Sequence, residues 1–157
     1  VQALVMMGRP RDARAVFDYL MGCRIPVGWR QWPEAVYFPP RTPGYIGDIP
    51  HTWAASGFLN ALRSMYVYED EAKGNLVLAA GIPDEWITSD ETWFAKNAPT
   101  SWGPISYAVS KGSNVLTAVV QGRCRPPNGI LLRMSKDRDA APIVVTNLPA
   151  TVRIDWH

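Results

Sequence analysis

Apolar positions follow two regimes along the chain, with a period near 3.6 up to about residue 70 and a period of 2 beyond it. Val1-Gln2-Ala3-Leu4-Val5-Met6-Met7 reads as the last turns of an apolar helix that Gly8 ends. Pro10 suits the first turn of a second helix, where its missing N–H costs nothing. Ala13, Val16, Phe17, Leu20 and Met21 then form one apolar stripe, and Gly22 and Pro26 close the element. A third helix is expected from near Pro50 to about Tyr68. Phe58, Leu59, Leu62, Met65 and Tyr66 make its bulky face, and Ala54, Gly57 and Ala61 a small-residue face. Two such faces predict a helix buried on both sides, which three helices alone do not supply. With the uncapped apolar opening, this leads to the expectation that the chain is the C-terminal piece of a longer protein.

Past Asp70-Glu71-Ala72-Lys73-Gly74 the runs become short and rich in β-branched and aromatic residues. Leu76–Ala80, Thr92–Lys96, Ile105–Ser110, Val115–Val120, Ile130–Met134, Ile143–Thr146 and Thr151–Trp156 each predict a strand. Lys111-Gly112-Ser113-Asn114 predicts a tight hairpin between two of them. The expected class is therefore α+β in two parts. Helices fill residues 1–70, and an antiparallel β-sandwich of seven or eight strands fills residues 75–157.

Composition narrows the function. Sixteen basic against fourteen acidic side chains give a net charge of +2, too balanced for an electrostatic nucleic-acid binder. No apolar run reaches the roughly 18–20 residues that span a bilayer, so no membrane partner is expected. Cys23 and Cys124 form no metal or disulfide spacing and read as free thiols. His51 and His157 are too few for a histidine-rich metal site. Neither a metal nor a cofactor is expected, and nothing in the chain indicates a compartment.

The chemistry concentrates in the irregular stretch from Ile25 to Ile49. It carries Pro26, Pro33, Pro39, Pro40 and Pro43 and the rings of Trp29, Trp32, Tyr37, Phe38 and Tyr45. Long loops inside compact domains are usually functional or disordered, and this aromatic content argues against disorder. Glu34 sits among these rings. A carboxylate that moves protons, beside flat faces on which C–H groups stack, is what a carbohydrate site requires. The plainer reading of Glu34 is a surface loop acid or an Arg partner. Asp48 is read first as a cap for the third helix, His51 first as structural, and Trp53 first as core; substrate contact is the alternative for each. Asp84-Glu85-Trp86 reads as a turn between strands.

Trp32-Pro33-Glu34 and Pro50-His51-Thr52-Trp53-Ala54-Ala55, set between helices and followed by a sandwich, resemble the end of an (α/α)6-barrel glycoside hydrolase. These six-hairpin glycosidases include bacterial glucoamylases and α-L-rhamnosidases. Gly81-Ile82-Pro83-Asp84-Glu85-Trp86 and Pro99-Thr100-Ser101-Trp102-Gly103-Pro104-Ile105-Ser106-Tyr107 are similar to the sandwich of such proteins. The resemblance implies that residues 1–70 close a helical barrel and that Glu34 is the general base of an inverting glycosidase. Trp29, Trp32, Tyr37, Asp48, His51 and Trp53 would contact the carbohydrate substrate. It also implies a general acid about 6.5–9.5 Å from the base, on an earlier barrel loop outside this chain. The remainder of that barrel is then the expected partner, and the chain alone is expected to be inactive. Ala35 stands where glucoamylase-like members commonly carry Gln, so glucose specificity does not carry over. The competing expectation is a non-catalytic carbohydrate-binding or structural β-sandwich module, for which Trp93, Trp102 and Tyr107 would form an exposed aromatic row.

Overall fold

The computed structural model describes residues 1–37, 39, 44, 47–134 and 140–156. Phe38, Pro40, Pro43, Tyr45 and His157, named above, lie outside the described residues. The chain divides into two compact units, Val1–Ser64 and Met65–His157. Among the described residues, no helix is long and apolar enough to cross a membrane.

The first unit holds α1 (Gln2–Met6), α2 (Pro10–Gly22) and most of α3 (Thr52–Tyr66). Pro10 opens α2 as expected, and ion pairs Arg9–Asp12 and Arg14–Asp18, each 2.7 Å, line its solvent side. Exposed pairs of this kind add only a few tenths of a kcal/mol each, so burial must hold the unit together. Its aromatic centre is a stack in which Phe58 lies between Phe17 (5.7 Å between centroids) and Trp32 (4.5 Å). The Trp32 indole N–H donates to the Leu20 carbonyl at 2.7 Å, which fixes the start of the loop against the end of α2.

The buried stripe of α2 is narrower than its pattern predicts. Ala13 and Phe17 are buried, Leu20 and Met21 are half-buried, and Val16 faces solvent. One aromatic stack occupies the inward side, and Val16 lies outside its width. On α3, Ala61 and Met65 are buried but Leu59 and Gly57 are exposed, so among the described residues nothing covers the side that carries Leu59 and Gly57.

The second unit begins earlier than the expected boundary. Residues 67–70 form a strand, β1 (Val67–Asp70), directly after α3. A 3-10 turn over Glu71–Lys73 leads into β2 (Asn75–Leu78), and Gly74 adopts φ +61° at its end. Asp84–Ile87, expected as a plain turn, is the short helix α4. The remaining strands are β3 (Trp93–Ala98), β4 (Ile105–Lys111), β5 (Val115–Gly122), β6 (Ile130–Leu132), β7 (Ile143–Val145) and β8 (Ala150–Asp155). All seven strand segments expected from the sequence are thus present, with β1 as an eighth.

They form two four-stranded sheets, ordered β1-β2-β6-β7 and β3-β4-β5-β8, a sandwich-like arrangement. Every pairing is antiparallel except β2 with β6, which is parallel and corrects the all-antiparallel expectation. Burial alternates as period 2 requires: Ile105, Tyr107 and Val109 on β4 and Leu116, Ala118 and Val120 on β5 point inward. Tyr107 pairs with Val120 and Val109 with Ala118, so large and small side chains sit opposite each other. The Tyr107 hydroxyl donates to the Tyr66 carbonyl at 2.8 Å, which satisfies its one polar atom inside the core. Cys23 and Cys124 are both buried.

Candidate functional site

The loop between α2 and α3 is held by two backbone hydrogen bonds that run between its limbs. Glu34 N–H donates to the Asp48 carbonyl at 3.1 Å, and His51 N–H donates to the Trp32 carbonyl at 2.9 Å. These rungs bring together residues 14 and 19 positions apart in sequence. Gly47 contributes a backbone that few residues adopt, with φ at +66°. A Cβ on Gly47 would stand 2.6 Å from Glu34 Cβ and collide with Glu34 Oε2. The missing side chain at 47 is therefore the space that the Glu34 side chain occupies.

Three groups converge there. One ligating atom from each of Glu34, Asp48 and His51 lies within 4.8 Å of the other two. His51 Nδ1 is 3.1 Å from Asp48 Oδ1 and 3.2 Å from Oδ2. That hydrogen bond is the main cause that holds the Asp48 carboxyl below its ordinary value of 3.8, with a smaller contribution from Glu34. Glu34 and Asp48 are exposed and His51 is half-buried. The carboxylates present oxygen to solvent, and the imidazole is anchored through one nitrogen. Two carboxylate oxygens and an imidazole nitrogen at this spacing are also a ligand set that a divalent cation accepts.

The aromatic residues separate into two groups. Trp32 is buried in the Phe17–Phe58 stack, so its ring is core and offers no face to a sugar, contrary to its expected role. Its main chain still serves the site, because its carbonyl holds His51. Trp29 (58% exposed), Tyr37 (46%) and Trp53 (82%) keep open ring faces in the same unit. Trp53 reverses the core reading: at the second position of α3 it points to water. The carboxylate of Asp48, expected first as a helix cap, instead bonds the His51 side chain. In the second unit, Trp93 and Tyr107 are buried edge-to-face, 5.7 Å apart at 90°, and Trp102 is half-buried. The exposed row that a flat sugar-binding sheet needs is not formed by these three.

Sequence reasoning singled out Glu34, Asp48 and His51 separately and missed that they form one group. What Gly47 contributes, the space for the Glu34 side chain, was not read from the sequence. The available signal was the glycine directly before Asp48 in Gly47-Asp48-Ile49-Pro50. No family model, curated protein or solved structure matches the chain.

Proposed function

We propose that this chain supplies the general-base half of a glycoside hydrolase, with Glu34 as the base and the helical unit as the closing part of an (α/α)6 barrel. The observation that carries the reading is the pinned position of Glu34. Its main chain is tied to Asp48, its side chain fills the space above Gly47, and it is exposed, in the same unit as the open rings of Trp29, Tyr37 and Trp53.

A water on Glu34 would lose its proton to the carboxylate as its oxygen attacks the anomeric carbon, and the leaving oxygen would take a proton from an acid on the opposite face. Asp48 does not fit that acid. Its carboxyl is stabilised in the charged form, and 4.8 Å is shorter than the separation of roughly 6.5–9.5 Å that admits water and sugar between an inverting pair. Asp48 and His51 instead position the base, and Trp29, Tyr37 and Trp53 offer stacking faces to the sugar. The proton donor then comes from polypeptide outside these residues.

The test is hydrolysis of aryl glycosides and disaccharides by this chain joined to the helical polypeptide that carries the acid. Glu34→Gln should lower kcat by about 10²–10⁴-fold, the usual contribution of a general base, with KM nearly unchanged. Full hydrolysis by the Gln variant would end the proposal.

A further inference from the structure

The face of the β3-β4-β5-β8 sheet that turns away from the core carries a trough. Register places Phe94, Ala108 and Val119 in one row across β3, β4 and β5, and Ser106 beside Gln121 in the next. Tyr107, Val109, Ala118 and Val120, which alternate with them, are buried, so these rows lie on the open face. The middle strand brings only Ser106 and Ala108 to this place, between longer side chains on both flanks. Small residues on one strand between larger ones leave a hollow, and its volume is about 280 Å³. Phe94 (62% exposed) and Lys96 line it from β3, and Val119 (40% exposed) and Gln121 from β5. A bulge between Ala95 and Ala98 interrupts the β3 flank, and Asn97 there adopts φ +50°. The Asn97 N–H donates to Ser106 Oγ at 2.9 Å, and that hydroxyl donates to Asn97 Oδ1 at 3.3 Å. The Nδ2 donors of Asn97 are left over. Lys96 is exposed, and its ammonium has no ion-pair or hydrogen-bond partner among the described residues.

These groups select a ligand. Lys96 is the charged residue of the described lining, which holds no Asp or Glu, so the trough favours one negative charge. Lys96 and Asn97 offer donors of the kind a carboxylate accepts. Phe94 and Val119 offer apolar surface to C–H groups. A peptide laid across this face finds no strand edge to pair with, because β4 is hydrogen-bonded along both sides. A nucleic-acid strand carries a phosphate at every residue and needs a line of cations, where the trough supplies one. A sugar acid brings one carboxylate per ring, a C–H face, and hydroxyls that both donate to and accept from the Gln121 amide. We infer that this trough is a binding site for a carboxylate-bearing saccharide, a uronate unit of an acidic glycan, with Lys96 on the carboxylate and Phe94 against the ring. The site lies wholly within residues 65–157 and does not rest on the role of Glu34.

The experiment follows the backbone amide resonances of the full ¹⁵N-labelled chain at low salt during titration with trigalacturonate and trimannuronate. Galactotriose, mannotriose and hexathymidylate are titrated alongside. The expected result is that at least one uronate trisaccharide shifts the amides of Phe94, Lys96, Ala108 and Val119 together and saturably, and that added salt weakens the binding. Lys96→Gln should weaken it by about threefold and bring it to the level of the neutral trisaccharide. Phe94→Ala should weaken it at least as much. Both positions are exposed, so the rest of the amide spectrum should stay in place. Arg133→Gln, an exposed cation outside the trough, should leave the affinity unchanged. The inference is overturned if neither uronate moves these amides, if the neutral trisaccharides bind as tightly, or if only hexathymidylate binds. It is also overturned if Lys96→Gln binds like the parent, or if Arg133→Gln loses as much as Lys96→Gln does. The Glu34 proposal is read by hydrolysis and this one by amide shifts, so either can fail without the other.

Discussion

A hydrogen bond from His51 favours the charged form of Asp48 and holds its carboxyl below the ordinary value of 3.8. A folded-state value below the unfolded one means that this contact contributes to stability above that pH. The contribution is lost as pH falls through the folded value. His51→Ala should therefore move the Asp48 titration midpoint upward toward 3.8, which the carboxyl ¹³C shift reads directly. An unmoved midpoint would show that His51 does not hold the carboxylate. The individual residues of this site were legible, since Glu34 amid indoles and Asp48 before a helix both stand out in the sequence. Their grouping was not, because it is made by two long-range backbone bonds. Trp32 and Trp53 show the same limit. Each is a tryptophan next to a helix, yet one is stacked on Phe58 and the other faces water. Only packing distinguishes them.

Among the elements, the strands follow from local chemistry and their partners do not. The hairpin between β4 and β5 was read from Gly112-Ser113-Asn114, and Gly112 N–H does donate to the Val115 carbonyl at 2.7 Å. Strand β1 was missed because Val67 and Tyr68 continue the apolar rhythm of α3, and only pairing with β2 makes them extended. The parallel pairing of β2 with β6 joins segments more than fifty residues apart, beyond any local signal. At the far end of the hairpin two glycines cross. A Cβ on Gly122, at φ +144°, would lie 2.5 Å from the Pro104 carbonyl oxygen, and one on Gly103, at φ +106°, would lie 2.8 Å from that of Arg123. Both obstacles are backbone and cannot swing aside. Gly122→Ala should cost about 2–4 kcal/mol in urea unfolding, combining strain at positive φ with displacement of the neighbouring strand end. A cost below about 0.5 kcal/mol would mean that this crossing is loose.

Across the whole molecule, the two units differ in how much apolar surface they cover. Among the described residues, twelve large hydrophobic residues are exposed, and nine of them lie in residues 1–64: Met6, Met7, Val16, Tyr19, Val27, Trp29, Tyr37, Trp53 and Leu59. Among the described residues of the second unit, the large hydrophobics left open are Phe94, Val119 and Val144. Buried area is the main stabilising term, so amide hydrogen exchange should be slowest in β4 and β5 and at least about tenfold faster in α2 and α3. Equal protection in both units would contradict this ranking. The sequence by itself determined that helices precede strands, where most strands lie and which residues carry the chemistry, because periodicity and turn residues act over a few neighbours. Tertiary structure alone decided which rings are core, which strands pair in parallel, and that Glu34, Asp48 and His51 meet beside Gly47. Those outcomes depend on contacts between segments far apart in the chain, whose geometry no local pattern encodes.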